Sequence, residues 1–312
     1  MEPSLRTALV LAGAGAAGNA WQLGIIAGLD AAGVDTTSAD LIVGTSAGST
    51  VAAQITGGLR PAELYSAILA EPRRAAPSPH STTPQDAGGV PRSSTPGSGP
   101  LSGPSYLEWS QQIIDSAADA SDMRRSIGAA ALGLDDDGGA ARWRDIVAAR
   151  LPNRQWPQQR VLIPAVDAQT GEAVVFDRAS GVELVDAVAA STSAMSPYRI
   201  GDRRYLNGGY RRSSNADLAA GYRRVLILEP FGGRSRTPVR WGMDLATQVD
   251  ELRAAGSIVQ VVFPDEGSGD VFNANALDPL TRLPAARGGY GQGQALARLL
   301  GAFWHGPSWP DA

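Results

Sequence analysis

Between Arg6 and Thr56 an apolar run, a glycine-rich turn, a helical stretch, a second apolar run and a second glycine-flanked turn follow one another. That order restricts the fold more than any other feature of the chain. Arg6 to Ala12 reads as a buried strand and Gly13 to Gly18 as a turn. Asn19 to Ala32 then places Trp21, Ile25, Ile26 and Leu29 at helical spacing and closes at Gly33. Leu41-Ile42-Val43 is a second strand, and Gly44-Thr45-Ser46-Ala47-Gly48 carries it into a helical run from Ser49 to Thr56. A strand–helix–strand–helix unit of this length implies a parallel sheet with helices on both faces, an α/β fold of three layers.

The rest of the chain is consistent with one domain over residues 5–304 and a short tail, 305–312. Residues 71–105 are rich in Pro, Ser, Thr and Gly and poor in large apolar side chains. They bury too little surface to offset chain entropy, so a disordered insertion is expected, either a spacer or a lid. Helices are predicted over Tyr106–Ala118, Trp143–Arg150, Val182–Ala190, Met243–Ala255 and residues 288–304. Arg160–Asp167 and Glu172–Asp177 flank Ala168-Gln169-Thr170-Gly171 and read as a hairpin. Arg203–Leu206, Arg224–Leu228 and Ser257–Phe263 are further strands.

Composition removes several chemistries. The 312 residues include no cysteine, so there is no thiol nucleophile, disulfide or zinc–thiolate site. All 27 cationic side chains are arginine, which excludes Schiff-base and Ser-Lys mechanisms. A net charge of -4 argues against nucleic acid as a partner. No metal and no organic cofactor is expected. Thr7 to Ala12 is too short an apolar run for a secretory signal, and no run reaches the length of a membrane span, so a cytoplasmic location is expected.

Gly44-Thr45-Ser46-Ala47-Gly48 matches G-x-S-x-G between a strand and a helix. That arrangement holds a serine hydroxyl at the top of a sheet, because a Cβ at either glycine would crowd the tight turn. Ser46 reads either as a nucleophile or as a helix N-cap; the strand before and the helix after favour the nucleophile. Gly13-Ala14-Gly15-Ala16-Ala17-Gly18 matches G-x-G-x-x-G. A dinucleotide site would want an acidic residue ending the second strand, and here that strand ends in the serine turn. The other readings are a plain tight turn, or a loop whose N–H groups face an anion forming beside Ser46. A base for Ser46 is harder to find. His80 lies in the polar insertion. His305 follows the last helix and would complete a Ser-Asp-His order of the α/β-hydrolase kind, although Ser46 stands earlier in the chain than that fold usually places it.

Together, Gly13 to Gly18, Gly44 to Gly48 and Leu206-Asn207-Gly208-Gly209 resemble the patatin-like phospholipases, over about Leu9 to Leu228. The resemblance implies that fold, a lipid or other acyl ester substrate, and a Ser-Asp dyad without histidine. It casts Ser46 as nucleophile and Gly13, Ala14, Gly15, Ala16 and Gly18 as the oxyanion loop. Gly44 and Gly48 form the nucleophile elbow, and Gly208 and Gly209 the turn after the second dyad residue.

Two positions depart from that pattern. Ala17 stands where the family usually has Arg or Lys, which leaves backbone donors but removes a cation. Position 207 is Asn where the family has Asp, and a carboxamide takes no proton from serine at neutral pH. Three explanations follow. The chain is a weak or silent relative that binds lipid or protein; Asp202 or Asp217 substitutes; or Asn207, followed by unhindered Gly208, deamidates. Arg203-Arg204 and Arg211-Arg212 flank the turn, either as a solvated basic edge or as a surface drawn transiently to acidic lipid.

Overall fold

The computed structural model describes residues 7–71, 103–134 and 139–306. In chain order its strands and α-helices begin β1 (Thr7–Leu11), α1 (Gly15–Ala31), β2 (Leu41–Gly44), α2 (Ala47–Ile55) and α3 (Pro61–Leu69). Then come α4 (Gly103–Ser116), α5 (Ala120–Leu132), α6 (Gly139–Arg150), β3 (Arg160–Asp167), β4 (Ala173–Phe176) and α7 (Leu184–Ser191). The chain finishes with β5 (Tyr198–Ile200), β6 (Arg203–Asn207), β7 (Arg224–Leu228), α8 (Leu245–Ala254), β8 (Ile258–Val262) and α9 (Arg282–His305).

The strands form one sheet in the order β5-β6-β3-β2-β1-β7-β8, with β4 paired to β3. From β3 to β8 along this order every pairing is parallel, while β4, β6 and β5 are joined by antiparallel ladders. Parallel strands covered on both faces are apolar on both faces. Leu9, Leu11, Ile42, Leu226 and Leu228 pack into the cluster that holds α1, α2 and α9. The alternating residues Ala8, Val10, Leu41, Val43, Val225 and Ile227 pack against Leu245, Val249 and Leu252 of α8. The three-layer α/β expectation is met, with a mostly parallel central sheet flanked by helices.

The register brings the site together. Leu11 pairs with both Gly44 and Leu228, so β1, β2 and β7 end at the same level. The glycine-rich segment and the serine turn therefore leave the sheet side by side at its C-terminal edge, where open α/β sheets place ligands. Strand β3 is longer: residues 160–162 pair with β2, and residues 165–167 run on to pair antiparallel with β6. Asn207 opposes Ala165 and so reaches the same edge from the opposite direction.

Several boundaries differ from the sequence reading. The glycine-rich stretch is not a free turn throughout, because α1 already begins at Gly15. The last helix starts at Arg282, and its interior glycines let it lie against α1: a Cβ at Gly293 would stand 2.4 Å from the Ile25 carbonyl oxygen. Helix α4 takes in residues 103–105, the end of the polar insertion. Residues 72–102, with His80, lie outside the described residues, as does most of the expected tail. Helices α3 and α5 carried no sequence signal strong enough to name. Among the described residues no helix is long and apolar enough to cross a membrane.

Candidate active site

Ser46 sits between β2 and α2 with φ 53° and ψ −123°, one of two non-glycine residues described with positive φ. That backbone state is strained for a residue with a side chain, and it persists because the surroundings fix it. The Ser46 N–H donates to Ser191 Oγ at 3.0 Å, and the Ser46 carbonyl accepts from the N–H and the hydroxyl of Ser49 at 2.8 and 2.6 Å. No side-chain capping bond is made from Ser46, so its hydroxyl is not spent as an N-cap. Close packing beneath the turn excludes side chains: a Cβ at Gly48 would lie 2.0 Å from the Leu11 carbonyl oxygen, and one at Gly44 2.6 Å from the Gly48 carbonyl oxygen. Gly13 backs directly onto the serine, where a Cβ would meet Ser46 Cβ at 2.7 Å.

Asn207 ends β6 and opens a 3-10 turn, Gly208–Tyr210. Its Oδ1 accepts the Gly209 N–H at 2.9 Å, which turns its Nδ2 toward Ser46, where it donates to Oγ at 3.0 Å. The residue at 207 therefore touches the serine hydroxyl, but as a donor. A carboxylate of the same shape would take the Gly209 N–H on one oxygen and present the other as an acceptor to Ser46 Oγ.

Both residues open into a cavity of about 730 Å³ whose lining includes Gly13, Ala14, Gly15, Ala16, Ala47 and Gly209. Among the described residues, the N–H groups of Gly13, Ala14, Gly15, Ala16 and Ala47 meet no protein acceptor. Those of Ala17 and Gly18 are taken, by the carbonyls of Ala276 and Ala14 at 3.0 and 2.9 Å. Of Gly13 to Gly18, only Gly13 to Ala16 thus leave their N–H groups unpaired, and Gly18 packs within the helix. Met123, Trp143, Phe231 and Met243 add an apolar wall. Tyr106 and Tyr210, both in the cavity lining, meet hydroxyl to hydroxyl at 2.8 Å, and burial with the neighbouring Tyr106 pushes the Tyr210 phenol well above its usual range.

The family model for patatin-like phospholipase matches residues 9–220, more than half of the chain. The chain belongs to the patatin-like phospholipase family. No curated protein matches it. Among solved structures, the type III effector protein ExoU aligns with 94% of this chain and 54% of its own at 13% identity. The chain thus spans about half of that effector, with a TM-score of 0.32.

Within this patatin-like site the other proposed bases are elsewhere. Asp202 is exposed in the turn between β5 and β6. Asp217 is held by Arg211 through bonds of 2.9 and 2.7 Å. His305 is exposed at the end of α9 and does not line the cavity, so no Ser46–His305 triad is assembled. The basic edge around the turn is also paired: Arg203 with Asp167 at 3.1 Å, Arg211 with Asp217 at 2.7 Å, and Arg212 with Glu251 at 2.6 Å.

Several residues around the patatin-like elbow escaped the sequence reading. Asn215, buried and in the left-handed region at φ 55°, donates from Nδ2 to both Thr45 Oγ1 and the Gly208 carbonyl at 3.0 Å. Its Oδ1 accepts from Arg211 at 2.8 Å, so one carboxamide ties the serine turn to the Asn207 turn. Ser191 supports Ser46 from the end of α7. Glu229, buried just past β7, accepts from the Ser214 hydroxyl and the Phe231 N–H. Burial holds its carboxyl above the usual range, and those bonds oppose the shift. Asn215 stands among turn-forming residues and Ser191 in a Ser-Thr-Ser run, so neither differed from ordinary turn chemistry.

Proposed function

We propose that the chain hydrolyses acyl esters of the lipid type: Ser46 Oγ attacks the carbonyl carbon, the ester C–O bond breaks and the alcohol leaves with the serine proton, and water then cleaves the acyl-serine to the free acid and regenerated Ser46. The observation that carries this reading is the contact of Asn207 Nδ2 with Ser46 Oγ at 3.0 Å across a strained strand-to-helix elbow. The unpaired N–H groups of Gly13, Ala14, Gly15, Ala16 and Ala47 are the donors for the oxyanion, since they need no reorganisation to accept developing charge. Gly18 contributes by helix packing. The apolar side of the cavity takes the acyl chain. With Asn at 207, Ser46 is oriented but no carboxylate takes its proton, so turnover is slow by about 10²–10⁴-fold relative to a dyad with a general base.

The donor orientation of Asn207 favours a second reading, a patatin-like domain that binds an acyl ligand without turning it over. Hydrolysis of a short-chain p-nitrophenyl ester by wild type, Ser46→Ala and Asn207→Asp separates the two. Weak wild-type activity that disappears in Ser46→Ala supports the slow hydrolase. Inert wild type and Ser46→Ala, with activity only in Asn207→Asp, supports the silent binder. Activity equal in wild type and Ser46→Ala ends the role of Ser46 in either case.

A further inference from the structure

The chain as a whole is acidic, with a net charge of -4, yet the cavity wall is not. Its charged lining residues, among those described, are Arg150, Arg234, Arg236 and Arg282 against a single acid, Glu71. Glu71 is already held by Arg282 at 2.8 Å, and Arg282 also donates to Asn19 Oδ1 at 2.8 Å. The Arg150 guanidinium lies 5.5 Å from the centre of the Trp143 ring and donates to no acceptor among the described residues. Partial burial, and next the nearby Arg282, hold it below the usual arginine range.

The inner end of the cavity has the same bias. Asn207 Oδ1 is used by the Gly209 N–H, so what 207 shows to the cavity is an amide donor beside the Ser46 hydroxyl. The unpaired N–H groups from Gly13 to Ala16 are donors too. A carboxylate at 207 would repel an anion placed here; a carboxamide does not.

We infer that this cavity is a receptor for a free long-chain carboxylate, its head group against Ser46 Oγ and Asn207 Nδ2 and its chain along the apolar wall. The inference rests on the placement of the acyl end beside Ser46, as the hydrolytic reading does, but it requires no turnover. Asn207 then has a role of its own: by removing the dyad charge it lets the site retain the anion that a charged dyad would expel.

Calorimetric titration of the full chain at pH 8, with laurate below its micellar concentration and 1-dodecanol as the uncharged comparator, tests this. Wild type is expected to bind laurate about tenfold or more tightly than dodecanol. Asn207→Asp, with its fold checked by thermal unfolding, is expected to lower the laurate affinity by about tenfold or more. Should that variant not fold, Asn207→Ala removes the donor without adding charge and gives a smaller loss in the same direction. Arg150→Gln is expected to weaken laurate less than Asn207→Asp. Equal binding of laurate and dodecanol overturns the inference, as does laurate affinity indifferent to position 207. A larger loss in Arg150→Gln than in Asn207→Asp puts the carboxylate on the arginine wall and also overturns it. No ester is present, so an inert chain still gives the answer. An active hydrolase that binds both amphiphiles alike would keep the hydrolytic reading and end this one.

Discussion

The two halves of the site are built from different materials. The Ser46 half rests mainly on close main-chain packing: a strained residue at φ 53° is held by the close approach of Gly48 to Leu11 and of Gly13 to the serine itself, with Ser191 Oγ on its N–H. The Asn207 half is held by side chains, namely Asn215 on the Gly208 carbonyl, Arg211 on Asn215, and Asp217 on Arg211. The first half tolerates no added carbon atom. The second is positioned by hydrogen bonds that can be removed one at a time, and its chemistry can change without its shape. Position 207 illustrates this: Asn207 touches Ser46 as a donor, and a carboxylate of the same shape there would keep the contact and reverse the direction of proton donation.

The comparison can be broken or sharpened at four positions. The largest effect is expected at Asn207, where Asn207→Asp places an acceptor toward Ser46. Ester hydrolysis should rise by about 10²–10⁴-fold, measured as initial rates with a p-nitrophenyl ester. A flat response would mean that the side-chain half lacks more than a proton acceptor. Next is Gly48→Ala, which forces a methyl group to within 2.0 Å of a main-chain oxygen. Denaturant unfolding should show a loss of about 3 kcal/mol or more. A variant near wild-type stability would show that the backbone half is softer than its contacts imply.

Asn215→Ala should cost about 2 kcal/mol, because it leaves Thr45, Gly208 and Arg211 without their shared partner. Asn215→Gly separates causes: it relieves the left-handed backbone but still loses the hydrogen bonds, so equal losses in the two variants would assign the effect to the clamp. The smallest effect, opposite in sign, is expected for Glu229→Gln. The carboxyl of Glu229 is raised by burial, so the folded chain holds a proton that the unfolded chain releases at lower pH. Stability of the wild type should therefore fall as pH rises from the unfolded glutamate range through the raised folded one, and stay lower above it. In Glu229→Gln that slope should flatten and the neutral-pH stability should rise, as read from thermal midpoints across pH. A slope unchanged by the substitution would assign it to another group.

The local parts of this architecture were legible. Strands β1 and β2 and the end of helix α1 lie within about one residue of where apolar runs and glycines put them, and the Ser46 turn stands between β2 and α2 as expected. The hairpin of β3 and β4 was also marked by its turn residues. The start of α1 was missed because glycine and alanine in Gly13 to Gly18 suit either a loop or a first helical turn, and the carbonyl of Ala276, far along the chain, takes the Ala17 N–H. The charge of the cavity was not legible either. The arginine pairs that stand out in the sequence, around Asn207, are largely matched by carboxylates, whereas the arginines in the wall come from scattered positions.

What the sequence alone determined is the parallel α/β core, the serine on its glycine-flanked turn, and a carboxamide at 207. Those follow from strand and turn preferences and from side-chain chemistry, which act over a few residues. Only the tertiary structure decided what the serine touches. Ser191, Asn207 and Asn215 reach the Ser46 turn across 145, 161 and 170 positions of chain. Their residue types are ordinary; Asn207 reaches the turn because β3 runs past the end of β2 and pairs with β6 at the same edge.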